Sequence, residues 1–400
     1  MSSRWDSDPV VQRLRAYLKI PSVQPDVDYT DCVKFLRSQA ASLGLPVKVY
    51  ELVPRKPVVV ITWKGKSPEL PSIMLNSHMD VVPVYEEFWT YPPFSAHVTK
   101  EGLIYARGSQ DTKQLGMIHL EAIRRLRDAG VTLKRTVHVT FVPDEEIGGE
   151  DGMKVFTESA AFNDLNVGLE LDESVVSPKP DEYYLFYGER TSRQITVSCK
   201  GIPTHGSFLH SGTAGEKINF IINKFMTLRA QEKQKLDAGA DLGDVTTINI
   251  TQLQGGVAIN VMPETLSVSF DIRIAPDVDH DEFENMIHKW CSEAGDGVTW
   301  EYVVKNPCIA STKIDHTNIF WEPLVKAVNS FGNKLQVSVC PGATDARYVR
   351  RRGPPALNFT PVLNTPMLLH AHDEHIPIDE YKKGIAVMAA VLTAIANVQK

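Results

Sequence analysis

The sequence predicts an α/β fold, a mostly parallel sheet interrupted by a smaller ferredoxin-like α+β insertion. Three observations carry this. Continuous β-branched runs alternate with helix-spaced segments through the first third of the chain. Period-two alternation takes over near Gly188. From about Pro307 the first pattern returns and ends in a long, Ala-rich helix.

The elements follow in order. Asp8 to Leu18 and Tyr29 to Leu43 carry helix-spaced apolar residues, and Gly44 supplies a stop for the second. Val58–Trp63 and Ser72–Ser77 are continuous apolar runs, as strands buried on both faces would be. Leu115 to Ala129 reads as a helix before Gly130. Thr136 to Val142 and Val167 to Leu171 read as further buried strands. Beyond Gly188, Arg193–Lys200, Thr246–Leu253, Leu266–Ile274 and Val298–Val304 read as strands. Glu216–Arg229 and Asp281–Cys291 read as helices. Strand, helix, two strands, helix, strand is the split βαβ order of a ferredoxin-like module. The implied domains are residues 1–188, 189–306 and 307–400, the first and last forming one body.

Composition narrows the functional classes. The 400 residues are 43% hydrophobic, enough for a sizeable core. A net charge of -7 without a basic tract argues against nucleic acid as a partner. Cys32, Cys199, Cys291, Cys308 and Cys340 are scattered and include no Cys-x-x-Cys pair. This suits free thiols in a reducing, cytoplasmic compartment. The most apolar stretch, Gly384 to Val398, falls short of the roughly 20 residues that cross a bilayer, so no membrane partner is expected.

Chemistry concentrates where the predicted parallel strands end. One run closes in His78-Met79-Asp80, another in Asp144-Glu145-Glu146, a third in Asp172-Glu173. Ligands of open α/β sheets bind beyond the carboxyl ends of strands, so these groups should converge. Asp111 follows a Gly-containing loop just ahead of a helix, and His370, His372 and His375 cluster in the returning segment. Each feature alone has a plain reading. Asp-Glu-Glu before Gly148-Gly149 can be a solvated turn, and Asp111 can be an N-cap. Carboxylates at the end of a buried strand are expensive unless a cation or hydrogen bonds compensate them. Several such ends together point to a metal site. His97, His119, His138, His280, His288 and His316 read as ordinary hydrogen-bonded histidines. The segment Glu86–Phe94 reads equally as pocket lining or as packing.

The motifs Leu75-Asn-Ser-His78-Met-Asp80, Ala106-Arg-Gly108-Ser-Gln-Asp111, Pro143-Asp-Glu145-Glu146-Ile-Gly-Gly149 and Leu171-Asp-Glu173 resemble those of the co-catalytic zinc metallopeptidase family. That family includes carboxypeptidase G and succinyl-diaminopimelate desuccinylase. The likeness extends through Phe186–Arg190, Ala275–Asp279, Ala343–Tyr348 and Asn364–His370, and so over nearly the whole chain.

The resemblance implies a zinc-hydrolase catalytic domain and an inserted lid and dimerisation domain. It implies two Zn²⁺ per subunit. His78 and Glu173 would hold one, Glu146 and His370 the other, and Asp111 both. Asp80 would orient His78 and fix its tautomer. Glu145 would be the general acid/base for attack by a metal-bridging hydroxide. The peptide bond Asp111-Thr112 would be cis. Charge accounting agrees: four positive charges from two zinc ions meet Asp111, Glu146, Glu173 and one hydroxide, which leaves Glu145 unliganded. His205 would reach the neighbouring subunit's active site in a homodimer. Asn260, Arg347, Arg273 and Thr344 are the candidate donors for a substrate carboxylate. Arg273 reads equally as a surface strand arginine. The implied reaction is hydrolysis of a linear amide, in small N-acyl-L-amino acids, with a dipeptidase or carboxypeptidase as the alternative.

Overall fold

The computed structural model describes Trp5 and residues 7–399, and these divide into two compact units. The first comprises Met1–Tyr187, Thr312–Val337 and Thr344–Lys400. The second comprises Gly188–Ser311 and Ser338–Ala343.

In chain order the first stretch holds helices α1 (Pro9–Leu18) and α2 (Thr30–Leu43), then strands β1 (Val47–Val53), β2 (Lys56–Trp63), β3 (Ser72–His78), β4 (His97–Val98) and β5 (Leu103–Tyr105). Helix α3 (Lys113–Asp128), strand β6 (Val137–Val142), the short α4 (Val155–Thr157) and α5 (Ala160–Asn163), and strands β7 (Val167–Asp172) and β8 (Glu182–Glu189) follow. Asp8 caps α1 through its side chain, and Gly44 ends α2 at φ 62°, a left-handed position that glycine adopts without steric cost.

The inserted part runs β9 (Thr191–Lys200), β10 (Thr204–His205), α6 (Ala214–Asp237), β11 (Thr247–Gly255), β12 (Val261–Met262), β13 (Thr265–Ile274), α7 (His280–Glu293) and β14 (Val298–Lys305). The chain closes with α8 (Trp321–Asn329), β15 (Lys334–Cys340), α9 (Ala346–Arg352), β16 (Ala356–Phe359), β17 (His375–Pro377) and α10 (Ile378–Ala396).

The main sheet has eight strands in the order β1-β2-β6-β3-β7-β16-β8-β15. Its centre, β6-β3-β7-β16, is parallel. The margins differ from a purely alternating pattern: β1 with β2, β2 with β6, and β8 with β16 pair antiparallel. Strand β1 is only half-buried, and this partial exposure hides it from a search for continuous apolar runs. Every residue of β3 and β6 is buried, because helices cover both faces. Successive residues alternate between two cores. Val59, Ile61, Ile73 and Leu75 meet α1, α2, α3, α8 and α10, whereas Val58, Val60 and Met74 meet α4, α5 and α9.

The second unit is a ferredoxin-like module with strand order β11-β13-β9-β14, all antiparallel. Its inward face carries Ile195, Val197, Val268, Phe270 and Ile272 against Ile221, Phe225, Phe283 and Ile287 of the two helices. A capping box of Thr213 and Glu216 starts α6, which runs a further two turns beyond the predicted Arg229. Among the described residues, no disulfide forms and no helix is long and apolar enough to cross a membrane.

Candidate metal centre

Three of the four central strands deliver their ends to one place. β3 ends on His78, β6 leads through Pro143 into a tight turn carrying Glu145 and Glu146, and β7 ends on Asp172 with Glu173 next. Asp144 leaves the strand at φ 64°. It is not a site carboxylate, because Tyr29 donates to it at 2.8 Å, Gln24 at 3.0 Å, and Lys56 pairs with it at 2.6 Å.

Asp111 lies at the middle of the cluster. Its Oδ1 is 3.0 Å from His78 Nε2 and its Oδ2 is 3.1 Å from His370 Nε2. Glu173 Oε2 stands 3.4 Å from His78 Nε2, and Glu146 Oε2 stands 3.1 Å from His370 Nε2. Glu145 belongs to the same cluster: its carboxylate, His78 and Glu173 offer ligand atoms within 4.8 Å of one another. The Asp111-Thr112 peptide is cis.

Asp80 supports this arrangement in a way the sequence does not predict. The His78 Nδ1 donates to the Asp80 main-chain oxygen at 2.8 Å, while the Asp80 carboxylate is 3.6 Å away. The carboxylate instead accepts from the Glu145 and Glu146 amides at 3.3 and 3.2 Å and from Gln24 at 2.8 Å. The backbone carbonyl thus engages Nδ1 and leaves Nε2 facing Asp111 and Glu173, and the side chain anchors the turn of the two glutamates.

The electrostatics are those of crowded, buried charge. Burial opposes protonation of His78, yet Glu173, Asp111 and Asp80 outweigh it and hold its pKa well above the usual imidazole value. Bonds to Asp111 and Glu146 raise His370 to about 10. Burial also works against ionisation of Asp111, but the two imidazoles prevail and hold it below the usual range. Burial and the Asp111 charge push Glu146 up, and burial carries Glu173 to about 8. Glu145 is driven well above its ordinary value by burial and then by Glu173. Such a set of acids is stable as carboxylates only with added positive charge.

The other predicted residues fall as follows. Thr344 Oγ1 accepts from Asn358 at 2.8 Å, and Arg347 donates to the Gly148 carbonyl at 2.6 Å. In the second unit, His205 lies exposed on β10, paired with Val261, and the Gly206 amide donates to the Asn260 oxygen at 2.8 Å. His205 and Asn260 are therefore neighbours on one exposed loop pair. Arg273 lies on β13 and donates to Asp271 at 2.9 and 3.2 Å. His372 and His375 stay out of the cluster: the first packs on Phe88 and the second stacks on Tyr105. Of the Glu86–Phe94 segment, Trp89 is buried beneath Arg107, while Phe88 is exposed beside His372, as is Tyr85 just ahead of the segment. His119 departs from expectation, since neither ring nitrogen finds a hydrogen bond.

Sequence reasoning misses Glu374, Gln24 and Asn76. Glu374 precedes the short strand β17, whereas Glu145 and Glu146 follow β6, so a search of strand carboxyl ends passes over it. Asn76 donates to Asp172 at 3.0 Å inside the sheet, and nothing local in the sequence reveals a contact between residues so distant.

Imidazoles and carboxylates converging beyond the strand ends of an α/β sheet are the donor set of metal-binding hydrolases. The sequence model of Peptidase family M20/M25/M40 matches residues 74–394. Aminoacylase-1 of Mus musculus is 44% identical over 98% of this chain and 96% of its own length. An M20 family metallo-carboxypeptidase from Sulfolobus solfataricus superposes with a TM-score of 0.72 over 97% of this chain and 99% of its own, at 19% identity. A dinuclear metal-binding M20 peptidase from Bacillus subtilis does so with a TM-score of 0.68 over 96% of both chains, at 15% identity. The chain belongs to the peptidase family M20/M25/M40. It is a hydrolase acting on amides.

Proposed function

We propose that this protein hydrolyses N-acyl-L-amino acids, releasing a carboxylate such as acetate and the free L-amino acid. One observation carries the reading: Asp111 turns one oxygen to each of two imidazoles, with Glu173 and Glu146 on the outer sides and Glu145 beside them. The choice of substrate class draws on the full-length likeness to aminoacylase-1.

The donors fit two zinc ions. Ligands at about 2.0–2.1 Å from a tetrahedral zinc lie roughly 3.3 Å apart, and the nitrogen–oxygen separations here are 3.0–3.4 Å. Glu146 Oε1 is buried without a hydrogen bond, which is unfavourable unless a cation takes it. His78 and Glu173 would hold one ion, Glu146 and His370 the other, and Asp111 both. When bound, zinc would supply Lewis acidity, which brings the pKa of water to about 7 and polarises an amide carbonyl.

Within that frame Glu145 takes the proton of the attacking water and returns it to the amide nitrogen as the C–N bond breaks. Its carboxylate lies beside His78 and Glu173, where it can reach a water held at the centre. Asp80 holds the amides of both glutamates and so positions acid/base and ligand together. Asn260, Thr344, Arg347 and Arg273 are the proposed donors to the substrate carboxylate, with Arg273 the weakest candidate because Asp271 already engages it.

We assign the catalytic part to residues 1–188 and 307–400 and the lid and dimerisation part to 189–306. His205, exposed on the inserted part, is proposed to serve the partner subunit's site in a homodimer. A cytoplasmic location suits the five cysteines, none of them in a disulfide.

A panel of N-acetyl-methionine, N-acetyl-ornithine and dipeptides, run with zinc-replete and chelated protein, tests the reading. The expected result is zinc-dependent turnover with the highest kcat/KM on N-acetyl-methionine. A strong preference for a dipeptide would overturn the substrate assignment.

A further inference from the structure

Asp111 and His370 come from loops far apart in sequence, and something must hold them together. The three-stranded sheet β17-β5-β4 begins the task. His375 pairs with Tyr105, Ile376 with Ile104 and Pro377 with Leu103, so the residues just outside this register, Glu374 and Ala106, face each other. The Ala106 amide donates to the Glu374 main-chain oxygen at 3.0 Å.

The Glu374 side chain then fills the loop that leads to Asp111. It is fully buried. Its Oε2 accepts from Arg107 Nη1 at 2.6 Å and from the Gly108 amide at 3.2 Å. Its Oε1 accepts from the Gln110 amide at 2.5 Å and the Asp111 amide at 3.2 Å. The second arm of Arg107 donates to the His370 carbonyl at 3.3 Å. His370 itself sits at φ 60°, a backbone conformation that a non-glycine residue holds only when its surroundings enforce it. One carboxylate therefore grips the amide of one ligand residue and, through one guanidinium, the carbonyl of another.

We propose that Glu374 is a positioning residue which, through Arg107, sets the spacing between Asp111 and His370 and thereby the affinity of the metal position they share with Glu146. The position of His78 and Glu173 does not depend on it in the same way. His78 is fixed on β3 by the Asp80 carbonyl, and Glu173 directly follows β7, which pairs with β3. The inference rests on the two-ion reading above.

The test is zinc affinity, measured by competition with a chromophoric chelator on wild-type, Glu374→Gln and Arg107→Lys proteins, beside the melting temperature of the metal-free forms. Wild-type protein is expected to take up two ions per chain. Glu374→Gln should bind the ion at Glu146 and His370 10- to 100-fold more weakly, the range for loss of an outer-shell partner, and the ion at His78 and Glu173, which shares only Asp111 with it, clearly less so. Arg107→Lys leaves the Glu374 amide bonds in place and removes the fork that reaches His370, and should weaken the same ion. It carries the test if Glu374→Gln does not fold. Equal weakening of both ions in the folded variants, or of neither, would overturn the proposal. Wild-type protein that takes up fewer than two ions would instead remove the two-ion reading, and this inference with it.

Discussion

Between Asp144 and Gly148 the backbone leaves β6 at φ 64° and closes a single 3-10 turn, so the side chains of adjacent residues part company. Glu146 reaches His370 and groups with His78 and Asp111, whereas Glu145 groups with His78 and Glu173. Glu145→Gln should retain bound metal, measured by elemental analysis, while turnover falls by roughly 10²–10⁴-fold, the usual share of a general acid/base. Near-normal turnover would remove Glu145 from that role. Away from the centre, His119 offers a test of a different kind. Burial lowers its pKa to about 3, against about 6.5 in an unfolded chain. The unfolded state therefore takes up the proton first. The stability tied to neutral His119 is complete above pH 6.5 and is lost as pH falls toward 3. His119→Leu should flatten the acid side of the stability curve, sparing on the order of 2 kcal/mol by pH 4.5 relative to wild type. Parallel pH–stability curves for the two proteins, from chemical denaturation, would show the imidazole is not buried neutral.

At the scale of elements, α3 matters most, because it starts just after Asp111 and crosses the sheet above β3 and β6. Gly116 permits that approach. A Cβ there would lie 2.6 Å from the Phe141 ring and from Ser77 Oγ. Two effects oppose each other in Gly116→Ala. Helix propensity favours alanine by about 1 kcal/mol, and overpacking costs about 1–3 kcal/mol. The clash involves a ring within the sheet core and should win, so the variant is expected to melt lower and to bind metal less tightly. An unchanged or raised melting temperature would mean that α3 can shift freely over the sheet. Elements of this kind are the most legible in a sequence. The runs that become β2, β3, β6 and β7 are continuous and apolar because both sheet faces are covered, and the lid strands alternate because one face is. Strand β1 escapes notice because its half-buried, mixed sequence carries neither pattern.

At the scale of the whole molecule, the question is assembly. The second unit exposes Phe208, Leu209, Val257 and Ile259 on the loops around His205 and Asn260, and Leu209 and Ile259 are fully exposed. Apolar side chains gathered on exposed loops mark an interaction surface more often than chance exposure. If the homodimer forms through them, Leu209→Asp with Ile259→Asp should shift sedimentation from dimer to monomer. The melting temperature should change by no more than a few degrees, since neither side chain belongs to a core. A dimer that survives both substitutions uses another surface.

The sequence by itself determined which residue types end the strands, where the period of apolar residues changes, and hence the two-unit α/β and ferredoxin-like plan. These are local patterns, and burial on one face or two imprints them directly. The resemblance already named Asp111 and His370; the tertiary structure decided which oxygen of Asp111 faces each imidazole, that His372 and His375 stay out of the cluster, and that the Asp80 main-chain oxygen stands closer to His78 than its carboxylate does. It also revealed Glu374, with Gln110, among the groups that bind two distant loops. Those facts depend on backbone turns and on side-chain reach between segments hundreds of residues apart, where no periodicity carries a signal.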